Sequence, residues 1–223
     1  DSRAIDLLPD RLLSTAIGVV VALLVNLLVL PPLYDSSAQR QIDDVDRRLG
    51  ALLVDMAQQL REPRKGQEEA DWIETTRSID TDLTEAWSLV RTAQEGRSWN
   101  PRHRLHPGQH LETYPQILVR LEEGVSLVRS IARHVRESSR ASQQWDPRFR
   151  DRYIDLLESL GRRIADPGAD VAEVREDLRR LAEDLSTEDL SGLLWPLYGA
   201  LIANLQVLID VVDDVATAEP VRT

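Results

Sequence analysis

The sequence contains no cysteine. That excludes disulfide staples and zinc–thiolate centres, and it fits a reducing compartment. Lysine is almost missing too, with Lys65 alone among arginines. Glycine is sparse and aromatic residues make up only 4%. β-Branched residues are few outside one N-terminal stretch, and no segment alternates apolar and polar residues with period two. A sheet is therefore not expected, and the abundant Leu, Ala, Arg and Glu favour helix. Positive charge is also short: 27 basic side chains face 38 acidic ones, for a net charge of −11. Setting aside residues 1–34, with Arg3, Arg11, Asp1, Asp6 and Asp10, leaves 25 against 35, or −10. So acidic a surface repels phosphate backbones and anionic lipid, and no nucleic-acid partner is expected.

Long charge-free stretches are rare, which makes the first one informative. "LLSTAIGVVVALLVNLLVLPPLY" (12–34) carries no charged side chain. Leu12 to Leu30, as a helix, covers about the 30 Å of bilayer hydrocarbon. Tyr34 suits the headgroup layer, and Pro31 and Pro32 stop the helix as it leaves. A signal peptide would have a shorter apolar run and a basic leader, whereas residues 1–11 hold three acids and two arginines. A buried soluble helix would keep a polar face, which Val19, Val20, Val21, Leu23, Leu24 and Val25 leave no room for. Residues 12–34 are thus expected to span a membrane after a short lead, 1–11. Ser14, Gly18, Ala22 and Asn26 recur every four residues along it. This small-polar stripe fits close packing against other membrane helices, or a polar pathway between them, and both readings expect further helices alongside.

From Asp35 to Thr217 the apolar residues fall at spacings of three and four, in six blocks. The first is Ile42, Val45, Leu49, Leu52, Met56 and Leu60; the second is Ile79, Leu83, Trp87 and Val90. Tyr114, Leu118, Leu121, Val125, Val128 and Val135 make the third. Tyr153, Leu157, Leu160 and Ile164 make a short fourth, and Val171, Val174, Leu178, Leu181 and Leu185 the fifth. The last runs Leu194, Tyr198, Leu201, Leu205, Leu208, Val212 and Val215. "EPRKGQ" (62–67) and "NPRHRLHPGQ" (100–109) break the pattern. Asp146 before Pro147 reads as an N-cap, and Asp170 with Glu173 as a capping box. The expected fold is all-α: one transmembrane helix, then an antiparallel multi-helix bundle over 35–217, with 218–223 as a tail. Leu190–Ile209 is also uncharged, but Gly192, Pro196, Gly199, Asn204 and Gln206 weaken it as a span. Its large apolar residues favour one face, so it reads as a core helix, with Trp195 in that core.

Residues that could carry chemistry are few. His103, His106 and His110 are interrupted by Pro107 and Gly108, so no helix face presents all three to a metal. Glu122–Glu123 and Asp213–Asp214 are adjacent pairs that point to different faces. No nucleophile elbow or phosphate loop occurs. No enzyme activity, cofactor or metal is expected. One charge pattern stands out: Arg129, Arg133, Arg136 and Arg140 form a ridge on one helix face, followed closely by Arg148, Arg150 and Arg152. Such a ridge either pairs with acidic neighbours, those of the fifth helix among them, or attracts carboxylate solutes or headgroups.

"RLLSTAIGVVVALLVNLLVLPPLY" resembles the last membrane helix of the fusaric acid resistance and aromatic acid exporter family of bacteria. Arg11, Thr15, Gly18, Asn26, Pro31 and Pro32 carry the likeness. "WNPRHR" (99–104), with Asn100, Pro101, Arg102 and Arg104, resembles the Asn-Pro-Arg turn of that family's soluble domain. "WPLYGALIANLQVLIDVV" (195–212) is similar to its closing helix. The three stretches cover about a fifth of the chain. The resemblance implies an inner-membrane efflux protein for aromatic or other weak organic acids, often oligomeric, with residues 35–223 cytoplasmic. It implies only the final span and cytoplasmic region here, as in a piece of a longer transporter, and a sequence starting at Asp1 fits that. Arg40, Arg47 and Arg48 after the span, against Arg3 and Arg11 before it, agree with this orientation. On the residues alone, a membrane-anchored interaction or signalling module without transport fits equally well.

Overall fold

The computed structural model describes Thr15, residues 17–19, Val21, and residues 33–62, 70–98, 113–140, 144–166, 170–187 and 194–218. Six helices fill these segments: α1 Leu33–Arg61, α2 Ala70–Ser98, α3 Tyr114–Arg140, α4 Pro147–Ile164, α5 Ala172–Thr187 and α6 Trp195–Thr217. No strand occurs among the described residues, and the fold is all-α. Helix α1 packs against α2 and α4, α3 against α2 and α6, and α5 touches both α4 and α6.

The three-and-four spacing accounts for the core. Ile42, Val45, Leu49, Leu52 and Met56 are all buried, with Leu53 beside them. The same holds for Ile79, Leu83 and Val90 of α2, all six seam residues of α3, and all four of α4. On α5 and α6 it holds for Val174, Leu178, Leu181, Leu201, Leu205 and Leu208. Each face is a continuous apolar stripe that is stable only against another stripe. Burying a Leu or Val in this way contributes about 1.5–3 kcal/mol.

Ion pairs and hydrogen bonds fix the order in which the helices meet. Trp72 Nε1 donates to Asp55 Oδ2 at 3.2 Å, while Arg48 reaches Ser78 and Asp82. Trp87 donates to Glu122 at 2.6 Å, and Arg129 reaches back to Thr76 at 3.1 Å. Arg150 Nη2 meets the Leu60 carbonyl at 2.8 Å, while Arg61 meets Glu158 at 2.6 Å. Asn204 donates to Ser130 at 3.2 Å, and Arg120 pairs with Asp214 at 2.6 Å.

Helix starts follow the local chemistry. Asp146 caps α4: its carboxylate accepts from the Arg148 N–H at 2.9 Å, with Pro147 in the first turn. Asp170 accepts from the Ala172 N–H at 2.7 Å ahead of α5. The Glu173 carboxylate goes instead to Arg163 of α4 at 2.5 Å. A guanidinium is a stronger partner for it than the cap backbone N–H that a capping box would use.

Three expected features have different outcomes. The boundary at Asp35 falls inside α1, which is one unbroken helix from Leu33. Trp195 is 69% exposed rather than in the core. At about 100° per residue it turns away from the Leu201–Leu205–Leu208 row, whereas Tyr198 lies near it and is buried. The proposed span at 12–34 lies almost wholly outside the described residues. Thr15, Ile17–Val19 and Val21 are helical, with Ile17, Val19 and Val21 at 56%, 52% and 51% exposure. Among the described residues, the one helix long and apolar enough to cross a membrane is α6. Tyr198, Leu201, Leu205, Leu208, Ile209 and Val215 of that helix are buried against the bundle.

Candidate functional site

The arginine ridge lies on α3, and its members have different surroundings. Arg129 is embedded at the α2 boundary. Its Nε donates to Thr76 Oγ1 at 3.1 Å, its Nη2 to the Thr76 carbonyl at 3.2 Å, and it pairs with Asp80. Thr76 is fully buried and donates its own hydroxyl proton to the Ile73 carbonyl at 2.7 Å, which turns its lone pairs toward Arg129. Arg133, one turn on, is exposed and has no oxygen partner among the described residues. Arg136 is half-buried, and its Nε is buried with no hydrogen-bond partner. Arg140 ends α3, and its side chain lies outside the described residues.

The three arginines that follow are committed elsewhere. Arg148 folds back on its own cap, Asp146, at 2.8 Å. Arg150 closes the exposed carbonyl end of α1 at Leu60, and Arg152 pairs with Asp184 of α5 at 2.7 Å. Arg61 with Glu158 and Asp155, and Arg175 with Asp210 and Asp213, tie further helices together in the same way. The hydrogen bond from Arg61 holds the Glu158 carboxyl below its ordinary range, against the opposing effect of burial. The bond from Arg179 holds Glu176 down to about 2.

The adjacent carboxylates diverge. Glu122 accepts from Trp87 while Glu123 pairs with Arg120, and Asp213 meets Arg175 while Asp214 meets Arg120. Neither pair converges on one point, as acid–base chemistry would need. No group of three His, Asp or Glu side chains that could hold a metal occurs among the described residues. His103, His106 and His110 lie outside them. Of the stripe Ser14, Gly18, Ala22 and Asn26, only Gly18 is described: it is helical, and a Cβ there would meet nothing within 4 Å.

Sequence reasoning missed an aromatic cluster where α3, α4 and α6 come together. Phe149 stacks on Tyr198 with centroids 4.0 Å apart and on Tyr153 at 5.2 Å, and Trp145 closes the group at 5.7 Å from Phe149. Its polar edges are satisfied: Trp145 Nε1 donates to Ser138, and the Asp146 N–H donates to the Tyr198 hydroxyl at 2.8 Å. The Trp145, Phe149, Tyr153 spacing of four was the available signal. Between α1, α3, α4 and α6 lies a cavity of about 20 Å³, lined by Asp46, Leu49, Leu121 and Leu208. That is room for a water molecule, not for an organic solute.

Comparison with protein-family models, curated proteins and solved structures found no match for this chain.

Proposed function

We propose that this chain is the last membrane helix and the cytoplasmic helical domain of an inner-membrane efflux protein of the aromatic acid exporter type. The bundle serves regulation or assembly. The observation that carries the reading is the exposure of Ile17, Val19 and Val21 on a helical stretch with open space around Gly18. Apolar side chains on such a helix are stable against lipid and sister helices rather than water. The resemblance of residues 11–34, 99–104 and 195–212 to that family supplies the transport assignment. The contacts support reading the six helices as an antiparallel bundle, since α1 and α2, α2 and α3, and α3 and α6 each meet with their residue numbers running in opposite senses.

On this reading the solute path runs in the membrane part, beside Ser14, Gly18, Ala22 and Asn26, and the cavity between α1, α3, α4 and α6 has room for water alone. Expressing the complete reading frame and following efflux of an aromatic carboxylate from loaded cells tests the proposal. Faster efflux than from empty-vector cells is expected, and equal rates would defeat it. The second reading is a membrane-anchored interaction module without transport. It draws on the tight packing of the bundle and the two arginines on α3 that have no partner inside it. In-frame spans upstream of Asp1 favour the exporter; a start codon with no spans favours the anchor.

A further inference from the structure

In a chain with more acids than bases, arginines find partners easily. The arginines whose side chains are described each reach a carboxylate, hydroxyl or carbonyl oxygen, except Arg91, Arg133 and Arg136. Arg91 is exposed on α2. Arg133 and Arg136 are three residues apart on α3, so their side chains leave the helix on one face. The Arg136 Nε–H is buried without an acceptor. A buried charged donor left unsatisfied is rare in a folded protein, and it leaves the Arg136 guanidinium uncommitted to any partner among the described residues.

We infer that Arg133 and Arg136 form a binding site for a small oxyanion, a phosphate or carboxylate, on the α2–α3 edge of the bundle. Two guanidinium forks three residues apart on one helix face offer planar donor pairs that suit the oxygens of such a group. Arg129, on the same face and fastened to Thr76 and Asp80, positions this part of α3 against α2. Glu137, on α3 itself, and Asp71, on neighbouring α2, are exposed and limit the local positive charge. The site thus suits one small anion and not a polyanion.

The anion is a free solute and not a lipid headgroup. Arg129 meets α2 at Thr76 and Asp80, and Trp72 of α2 meets Asp55 of α1. Arg136, two turns beyond Arg129, is therefore level with the part of α1 near Asp55. At 1.5 Å per residue that level is about 33 Å from Leu33. This step rests on the proposed span ending at the first residues of α1. A headgroup at the start of α1 is several Debye lengths away, each about 8 Å.

The test is thermal unfolding of the full chain in neutral detergent, titrated with sodium phosphate against sodium chloride of matched ionic strength. A saturable rise in Tm with phosphate alone is expected. Arg133→Gln and Arg136→Gln should each weaken the apparent affinity at least about tenfold, the loss of a charge-assisted bidentate contact. Arg91→Gln, the same charge change at an exposed arginine, should leave the response unchanged. No phosphate response in the wild type, or an equal one in Arg136→Gln, would overturn the site. Arg133 is exposed, so its variant reads the site even if Arg136→Gln unfolds. Nanodiscs of phosphatidylcholine with and without phosphatidylglycerol separate the sources. Equal phosphate affinity in both is expected, and its loss with phosphatidylglycerol would make the headgroup the ligand. None of these measurements depends on transport.

Discussion

Gly50 of α1 and Gly161 of α4 face each other so closely that neither has room for a side chain. A Cβ on Gly50 would lie 2.5 Å from the Gly161 carbonyl oxygen, and one on Gly161 would lie 2.7 Å from that of Gly50. These are backbone atoms, which cannot swing aside as the end of a long side chain can. Gly161→Ala must push α1 and α4 apart along the seam of Leu53, Leu157 and Leu160, and is expected to cost about 3 kcal/mol. Gly124→Ala is the control. Its Cβ would meet Leu49, Val211 and Leu208 at 3.5–3.6 Å, ordinary contact, so the gain in helix propensity should stabilise by up to about 1 kcal/mol. Chemical denaturation of the two variants should move the midpoint in opposite directions.

Tyr198 ties the start of α6 to the start of α4. Its hydroxyl accepts from the Asp146 N–H, and its ring stacks on Phe149. Tyr198→Phe keeps the stack and removes the acceptor, a loss of about 1 kcal/mol. Tyr198→Ala removes both and should lose about 3–5 kcal/mol. Thermal unfolding should rank wild type, Phe, then Ala, and near-UV circular dichroism should change strongly only for Ala.

Seams such as Ile42–Met56 and Tyr114–Val135 were legible because a helix repeats every 3.6 residues and core faces are written in apolar side chains. The Asp146–Pro147 start was legible for a similar reason: cap chemistry is local. What escaped is what depends on the distant partner. Nothing local distinguishes Gly50 and Gly161, which matter for their mutual approach, from Gly199, which has open space around it. Arg129 and Arg133 look alike on the ridge, yet only Arg129 has Thr76 and Asp80 in front of it. Trp195 was misread because hydrophobicity alone does not give its angle around α6.

Glu158 links stability to pH. The hydrogen bond from Arg61 lowers its pKa below the 4.5 of a free side chain, with help from Arg162. A carboxylate lowered in the native state adds stability above the unfolded pKa and loses it as pH falls through the native value. Glu158→Gln should therefore be less stable than wild type near neutral pH, and the gap should close as the pH drops below the usual carboxylate range. A gap that stays constant down to acid pH would mean that packing, not charge, is being lost.

The ridge offers a comparison between neighbours. Arg129→Gln breaks a pair with Asp80 and two bonds to Thr76 at a side chain only 24% exposed, and should destabilise by about 1–3 kcal/mol. Arg133→Gln removes no contact within the chain and should stay within about 0.5 kcal/mol of wild type in buffer free of phosphate. Urea titrations of the two variants would show it, and equal losses would mean that Arg133 is also held by the fold.

The apolar helix α6 can be assigned to core or membrane by its two sides. Leu205 is fully buried in the bundle, while Val207, two residues on, is 41% exposed. The chain has no native cysteine, so a single introduced thiol reports on its own site. If α6 is a bundle helix, Val207→Cys should react with a water-soluble maleimide in membranes opened to the reagent, and Leu205→Cys should react only after unfolding. If α6 crossed the bilayer, both thiols would lie in hydrocarbon and both would be protected, because the reactive thiolate does not form there. The buried row Leu201–Leu205–Leu208 faces α3 and the rest of the core, and pulling it into lipid would strip the bundle of that packing. Labelling at 207 with protection at 205 is the expected result.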